Sequence, residues 1–267
     1  MKKKVALALA SGGPRGFAYI GAIEELEARG YEISSVAGTS AGALVGGIYA
    51  AGGLEQFKQW LYSLDPLKIV ALMDIGLSKN YLVKGERVIR AIKERVPDVN
   101  IEDLPIPFTA VATDLFTGEE VAFREGPLFQ AIRASISIPS MFKPVKWKGR
   151  TLVDGGMVNT FPLNHVTRTP GDILVGFNVN QIDAAQSKGF RLPKGADNSF
   201  ASILQRSFGI MNCTIARMGI ELARPDILVD LPFDSYHGVY GYSHAPAIVE
   251  KGRELMAAAL DNYEKQQ

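Results

Sequence analysis

The segment Val36-Ala37-Gly38-Thr39-Ser40-Ala41-Gly42 constrains the fold of this chain more than any other. Residues 33–36 lead into this segment as a predicted strand, and the small residues at 41–51 predict a helix directly after it. A strand that turns so sharply into a helix can hold the Ser40 hydroxyl at an exposed tip. Glycines suit the flanking positions because a side chain would crowd the turn. Many Gly-x-Ser-x-Gly segments are plain turns, so other features must support a nucleophile here.

Predicted strands and helices alternate along the chain, which is typical of an α/β fold. Strands that are apolar throughout predict a mostly parallel sheet covered by helices on both faces. Two turn signals, Thr117-Gly118 and Lys148-Gly149, add antiparallel hairpins. With no repeat or linker, we expect residues 1–267 to form one domain, irregular at 65–83. The predicted strands are 5–10, 33–36, 108–113, 120–123, 145–147, 151–153, 173–179 and 227–231, and the predicted helices are 17–29, 41–51, 54–64, 86–96, 128–134, 199–223 and 248–263.

Composition excludes several classes of protein. A net charge of +1 over 267 residues gives no basic excess, which argues against nucleic-acid binding. The single cysteine, Cys213, cannot form an internal disulfide, and this fits a reducing compartment such as the cytoplasm. No His, Cys, Asp and Glu residues are spaced as metal ligands, so we expect neither a metal nor a cofactor.

Two segments imitate membrane-directed sequences. Residues 2–10 combine three lysines with a short apolar run, but this run has no convincing cleavage site and suits a first strand better. Residues 33–54 carry no charge and are long enough to span a bilayer. They are rich in Gly, Ser and Ala, contain a turn signal, and are flanked by Glu32 and Glu55 rather than by Lys or Arg. We therefore predict a soluble chain without a transmembrane segment.

A glycine-rich loop at residues 11–16 follows the first predicted strand and reads SGGPRG. It nearly matches the dinucleotide fingerprint, but a serine replaces the first glycine and no acidic residue closes the second strand. The alternative is an oxyanion hole, in which the backbone N–H groups of Gly12 and Gly13 point at a small anion beside a helix N-terminus. Arg15 is either a plain exposed arginine or a residue that steadies this loop or meets an anionic substrate group.

Asp154 follows an apolar strand and precedes Gly155 and Gly156. An aspartate in this position commonly bonds to its own turn backbone. The functional alternative is a general base for Ser40, because a carboxylate at a strand end is held rigidly.

The three histidines compete with Asp154 for the role of base. Hydrolases with a nucleophile elbow order their triad as serine, acid, histidine, and His165, His237 or His244 would formally comply. Ser40 follows only the second strand, however, which is very early for that fold. We expect His165 to be a surface or capping residue, and His237 and His244 to be hydrogen-bonded loop residues.

The glycine-rich loop, the elbow and the Asp-Gly-Gly turn together resemble the patatin-like phospholipase family. Two further segments are similar to its bacterial members, Asp114-x-x-Thr117-Gly118-Glu119 and Ala134-Ser135-x-Ser137-x-Pro139-x-x-Phe142-x-Pro144. The resemblance covers residues 5–179 and implies a three-layer α/β/α domain of acyl hydrolases that use a Ser–Asp dyad. It makes Ser40 the nucleophile, Asp154 its base, and the N–H groups of Gly12, Gly13 and Arg15 the oxyanion hole. The supporting motif glycines are Gly16, Gly38, Gly42, Gly155 and Gly156.

The sequence therefore predicts a serine acyl-ester hydrolase acting on lipids. A thioesterase or small-ester carboxylesterase is the enzymatic alternative, and a regulatory or scaffolding protein with little turnover is the non-enzymatic one. Residues 183–198 mix Phe190 and Leu192 with Lys188, Arg191 and Lys194, which is typical either of a solvated loop or of a segment that touches an anionic lipid surface transiently.

Overall fold

The computed structural model describes residues 3–72, 74, 83–181, 200–232 and 242–266. An eight-stranded sheet forms its centre, in the order β5-β6-β3-β2-β1-β7-β8, with β4 also paired to β3. Pairing is parallel from β3 through β2, β1 and β7 to β8, and antiparallel at β4, β5 and β6. The strands are β1 Lys4–Leu9, β2 Glu32–Thr39, β3 Phe108–Asp114, β4 Glu120–Phe123, β5 Val145–Trp147, β6 Arg150–Asp154, β7 Ile173–Gln181 and β8 Ile227–Pro232.

The sheet confirms the predicted α/β fold, mostly parallel with added hairpins. Each predicted strand forms, although β2 runs three residues further than predicted, to Thr39. The helices are α1 Ala18–Ala28, α2 Ala41–Ala50, α3 Leu54–Tyr62, α4 Pro66–Leu72, α5 Glu86–Lys93, α6 Leu128–Ser135, α7 Phe200–Ala223 and α8 Ala245–Glu264.

The prediction that residues 65–83 are irregular is wrong for α4. Its start carries two ordinary helix signals, because the Asp65 side chain accepts a hydrogen bond from the Lys68 N–H at 2.9 Å and Pro66 occupies the first helical position. A smaller difference lies before α1, where residues Gly13–Phe17 form a short 3₁₀ turn, so that the α-helix begins one residue later than predicted.

The two faces of the sheet are covered by different hydrophobic clusters, and the side chains of β1 contribute to both. Alternate side chains of a strand point to opposite faces. Val5, Leu7 and Leu9 enter the large core, whose other members come mainly from α1, α2, α6 and α8. The alanines between them pack in a smaller cluster with Phe161 and with Ala216 of α7. Helices on both faces give the three-layer arrangement.

The position of Ser40 and Asp154 depends on how the neighbouring strands share the two edges of β3. One edge of β3 pairs with β4 along residues 110–113. The other edge is shared, because β2 pairs as far as Thr39 with Val111, and β6 pairs from Asp154 with Ala112. Since β6 runs antiparallel to β2, the carboxyl ends of these two strands lie next to each other.

The charge-free segment at 33–54 is not a single long helix, because it contributes most of β2, the turn at Ser40 and all of α2. Within the described ranges, no helix is both long and apolar enough to cross a bilayer. The predicted loop at 183–198 and His237 lie outside the described residues.

Candidate active site

Ser40 occupies a strained turn between β2 and α2. Its backbone angles are φ 55° and ψ −117°, in the left-handed half of the map that a residue with a side chain rarely adopts. The turn closes because Gly38 and Gly42 touch. A Cβ on Gly38 would lie 2.3 Å from the Gly42 carbonyl oxygen, and a Cβ on Gly42 would lie 2.1 Å from the Leu9 carbonyl oxygen. These contacts explain both glycines of the motif.

The expectation that Ser40 lies at an exposed tip is wrong. Only 3% of its surface is accessible, since the neighbouring loop and the end of β6 cover the turn. Its N–H group donates to the Ser135 hydroxyl at 2.8 Å, and that hydroxyl donates to the Val111 carbonyl at 2.6 Å. Sequence reasoning recognised Ser135 only as part of a family motif and assigned it no role.

Three hydrogen bonds hold the backbone of Asp154 and one of its two carboxylate oxygens. Its N–H donates to the Ser137 carbonyl at 2.9 Å, and its carbonyl accepts from the Thr113 hydroxyl at 3.0 Å. Its Oδ1 accepts from the Gly156 N–H at 2.8 Å, which is the turn contact that the sequence suggested. The other oxygen, Oδ2, is buried and meets no hydrogen-bond donor among the described residues.

Burial sets the chemistry of Asp154. It raises the pKa of this carboxyl group to about 6, because a charged carboxylate loses its hydration inside the protein. The Ser40 hydroxyl and the Gly156 N–H act in the opposite direction and limit the increase. The Ser40 hydroxyl is therefore close enough to affect the carboxylate, although the pair lacks the geometry of an ordinary hydrogen bond. Catalytic hydrogen bonds are often long before substrate binds.

The glycine-rich loop lies against the turn at Ser40. A Cβ on Gly16 would be 2.5 Å from the Cβ of Ala41, so the loop can approach this closely only without a side chain there. Gly13 has φ 56° and open space beside its Cα. In the hydrogen-bond pattern of the described residues, the N–H groups of Gly12 and Gly13 have no acceptor.

Arg15 is not an exposed surface arginine, because it is only 7% accessible. Its charge acts on the buried Tyr19 hydroxyl. Burial raises the pKa of that hydroxyl, and Arg15 partly opposes the increase. Tyr19 in turn donates to the Ala10 carbonyl at 2.7 Å. The side chain of Arg15 therefore packs inward, where its Nε would lie 3.9 Å from a Cβ on Gly12.

His165 is engaged away from this pair. Its Nε2 contacts the Glu120 carboxylate, and its Nδ1 lies 2.7 Å from an Arg124 guanidinium nitrogen. Glu120 belongs to β4, which pairs with the edge of β3 opposite to the one that carries Asp154. His244 lies just before α8. Within the described ranges, no three His, Cys, Asp or Glu side chains come together as metal ligands would.

Fold and site together define an α/β protein in which a strained serine turn and a buried aspartate meet at one edge of β3, with a glycine loop packed against the turn. Residues 7–167 match the family described as patatin-like phospholipase. The chain belongs to the patatin-like phospholipase family.

Several known proteins are similar to this chain. An uncharacterized NTE family protein of Mycobacterium bovis is 44% identical over 185 residues, which are 69% of this chain and 51% of that protein. Another, from Mycobacterium tuberculosis, is 30% identical over 285 residues, which cover 97% of this chain and 46% of that protein. The chain spans about half the length of these curated relatives. The crystal structure of VipD from Legionella pneumophila has the same fold, with a TM-score of 0.53, 15% identity, and coverage of 98% of this chain and 67% of VipD.

Proposed function

We propose that this protein is a serine acyl-ester hydrolase that acts on lipids, with Ser40 as nucleophile and Asp154 as general base. The observation that carries the proposal is the convergence of these two residues at one sheet edge, with the pKa of the buried carboxyl group raised to about 6. Active sites are where such perturbed groups concentrate. The family description, patatin-like phospholipase, supports a lipid substrate.

The first half of the reaction forms an acyl-enzyme. The Ser40 oxygen attacks the ester carbonyl carbon while Asp154 accepts the hydroxyl proton. Negative charge develops on the carbonyl oxygen, and the N–H groups of Gly12, Gly13 and Arg15 stabilise it together with the N-terminus of α2. When this intermediate collapses, the ester C–O bond breaks and Asp154 returns its proton to the leaving alcohol.

The second half repeats these steps with water. Asp154 accepts a proton from water as the water oxygen attacks the acyl carbon. The second tetrahedral intermediate uses the same oxyanion donors, and its collapse releases a carboxylic acid and restores the Ser40 hydroxyl. A carboxylate with its pKa near 6 is still ionised at neutral pH, yet it is a better base than an ordinary aspartate.

We also propose that the protein works in the cytoplasm and touches membrane surfaces transiently to reach its substrate. The proposed membrane contact rests on the charge and apolar pattern of residues 183–198, and the proposed location rests on the single cysteine, Cys213. Sedimentation with anionic and neutral vesicles tests the proposed membrane contact. A protein that sediments with neither kind of vesicle would contradict it.

The proposed activity is tested by comparing the native chain with Ser40→Ala. A fluorophosphonate reacts only with an activated serine, so the native chain should become covalently labelled and the variant should not. On a panel of phospholipids, lysophospholipids, thioesters and short esters, the variant should lose at least about 10⁴-fold in turnover, because the attacking group is gone.

The panel also separates the alternatives. Turnover restricted to thioesters or short esters would replace the lipid assignment with the corresponding esterase. A folded native chain that neither labels nor turns over any substrate would favour a regulatory or scaffolding protein. Labelling that persists in Ser40→Ala would contradict Ser40 as the nucleophile.

A further inference from the structure

The junction between β2 and β6 leaves a gap in the hydrogen bonding along one edge of β3. Pairing with β2 ends at Val111, and pairing with β6 begins at the next residue. At the same point the chain leaves β2 for the strained turn at Ser40. The Val111 carbonyl and the Ser40 N–H are therefore buried without a strand partner. Leaving both groups without a hydrogen bond would cost free energy, so another group must bond to them.

The hydroxyl of Ser135 fills this gap. It lies at the end of α6, is fully buried, and accepts the Ser40 N–H at 2.8 Å while it donates to the Val111 carbonyl at 2.6 Å. A serine hydroxyl has one proton, and this one is committed to Val111. Ser135 can therefore act neither as a base nor as a second nucleophile. Its contacts are those of a residue that holds the backbone of Ser40.

The same short segment also holds Asp154. The Ser137 carbonyl accepts the Asp154 N–H at 2.9 Å. The Ser137 hydroxyl accepts from the Arg133 guanidinium at 2.6 Å and donates to the Arg133 carbonyl at 2.7 Å. Arg133 is buried as well and donates to the Lys84 and Lys143 carbonyls. Residues 133–137 thus connect the serine and the aspartate through one short, hydrogen-bonded piece of chain.

The strained backbone of Ser40 depends on its hydrogen bond to Ser135. A residue with φ 55° stays there only if its surroundings hold it. Without the Ser135 hydroxyl, the Ser40 N–H loses its acceptor, and the turn gains freedom to relax toward an ordinary backbone conformation. The Ser40 oxygen would then move relative to both Asp154 and the oxyanion donors.

We propose that Ser135 is a positioning residue for the nucleophile, and that residues 133–137 set the separation between Ser40 and Asp154. This inference rests on the proposed hydrolase function. It goes beyond that function because it assigns a role to a residue that touches neither the substrate nor the reacting atoms.

Three variants separate hydrogen bonding from packing. Ser135→Ala removes the hydroxyl, Ser135→Cys keeps the volume but bonds only weakly, and Ser135→Thr keeps the hydroxyl. Ser35→Ala is the matched control, because Ser35 is a buried serine on β2 whose hydroxyl donates to the Thr167 carbonyl. If Ser135→Ala does not fold, Ser135→Cys performs the same test.

We expect Ser135→Ala and Ser135→Cys to lose about 10- to 100-fold in kcat on a short soluble ester, the loss typical of a small misplacement of reacting groups. KM and the pH midpoint of turnover should stay at their native values, since neither substrate contacts nor Asp154 are changed. Ser135→Thr should recover most of kcat. Native-state hydrogen exchange of the Ser40 amide should accelerate in the Ala and Cys variants, and should stay slow in Ser135→Thr and Ser35→Ala.

Native kcat in Ser135→Ala or Ser135→Cys would overturn the inference, and so would an equal loss of kcat in Ser35→Ala. Recovery by Cys but not by Thr would assign the effect to packing and would also overturn it. Failure of the proposed function is a different result, because the native chain itself would then neither label nor hydrolyse esters. The exchange rates of the Ser40 amide test the Ser135 contact in that case too.

Discussion

Ser40 and Asp154 reach the same gap at the edge of β3 by opposite means. Ser40 arrives at the end of a parallel strand and is turned by a strained backbone, with φ 55°. Asp154 arrives at the end of an antiparallel strand with relaxed angles, φ −50° and ψ 134°. On the serine side, geometry is imposed by close glycine contacts and one hydroxyl. On the aspartate side, the backbone is ordinary, and burial changes the chemistry of the side chain instead.

This difference separates two ways of building a reactive pair. A serine hydroxyl needs exact placement, because it is a poor nucleophile until a base and oxyanion donors surround it. A carboxylate needs an environment, because its basicity depends on its pKa. Changes that relax the backbone around Ser40 should therefore act through geometry, while changes at Asp154 should act through charge and should depend on pH.

The largest effect on the aspartate side should come from Asp154→Asn. The amide keeps the shape and can still accept the Gly156 N–H, but it cannot take a proton. We expect turnover of a soluble ester to fall by about 10²–10⁴-fold, the usual contribution of a general base. The measurement is kcat at pH 7.5, with folding checked by circular dichroism.

Asp172→Asn is the matched control for this prediction. Asp172 is also a buried aspartate that bonds to its turn, accepting the Thr169 N–H and the Ser34 hydroxyl at 3.0 Å each. It pairs with no serine of the elbow, so its variant should keep native turnover. If Asp154→Asn kept native turnover, or if both variants lost it equally, Asp154 would be a structural turn residue.

The second prediction concerns the pH dependence of turnover. Only the ionised carboxylate is a base, and burial places its pKa at about 6. We expect kcat/KM on a short ester to be constant above neutral pH and to fall about tenfold per pH unit well below 6. Full activity retained at pH 4.5 would show that the base is not this buried carboxyl group.

The elbow and the fold were predictable because their causes are local. The Gly38 and Gly42 positions follow from contacts within the turn itself or with the adjacent strand, so they leave a recognisable motif. The strands were predictable from apolar runs. The helix α4 was also recognisable in principle, since Asp65 and Pro66 form an ordinary helix start.

The contacts that complete the site join residues that lie far apart in the sequence. Ser135 bonds to Ser40 across 95 residues of chain, and Asp154 meets Ser40 only because β2 and β6 share an edge of β3. Neither spacing nor periodicity encodes such a meeting. The burial of Ser40 and Arg15 arises in the same way, from the packing of separate segments, which is why the expected exposed tip was wrong.

The third prediction is a gain in stability from Asp154→Asn. The pKa of Asp154 is raised on folding, from an ordinary 3.8 to about 6, so the ionised group destabilises the folded state. This cost is absent below about pH 3.8 and complete above about pH 6. A shift of this size corresponds to at most about 3 kcal/mol.

Asp154→Asn should therefore raise the free energy of unfolding at pH 7.5 by about 1–3 kcal/mol, and this advantage should shrink as the pH falls toward 4. Urea unfolding at pH 4, 5.5 and 7.5 measures it for both proteins. A variant that is less stable than the native chain at pH 7.5, with the deficit unchanged at pH 4, would contradict the assigned burial effect. Lost turnover together with gained stability would be the clearest sign of a chemical role.

The smallest effect should come from His165→Ala, which tests whether this histidine forms a triad with Ser40 and Asp154. The ring of His165 is held by Glu120 and Arg124 beside β4, across β3 from the edge that carries Asp154. Burial lowers the pKa of this imidazole, and the ring lies at a position on the other side of β3 from the Ser40 and Asp154 pair. That position offers it no route to the Ser40 hydroxyl, so its loss should remove a local contact and leave proton transfer intact.

We expect His165→Ala to keep kcat within about threefold of the native value, as for a change worth roughly 0.5 kcal/mol at the transition state. Its pH profile should keep the midpoint near 6 that Asp154 sets. Both are measured on the same ester as the Asp154→Asn series, with melting temperature as the control for folding. A folded His165→Ala protein that loses about 10²-fold or more in kcat would mean that histidine is the base. Ser40 and Asp154 would then be two members of a triad. The raised pKa of Asp154 would no longer explain how Ser40 loses its proton.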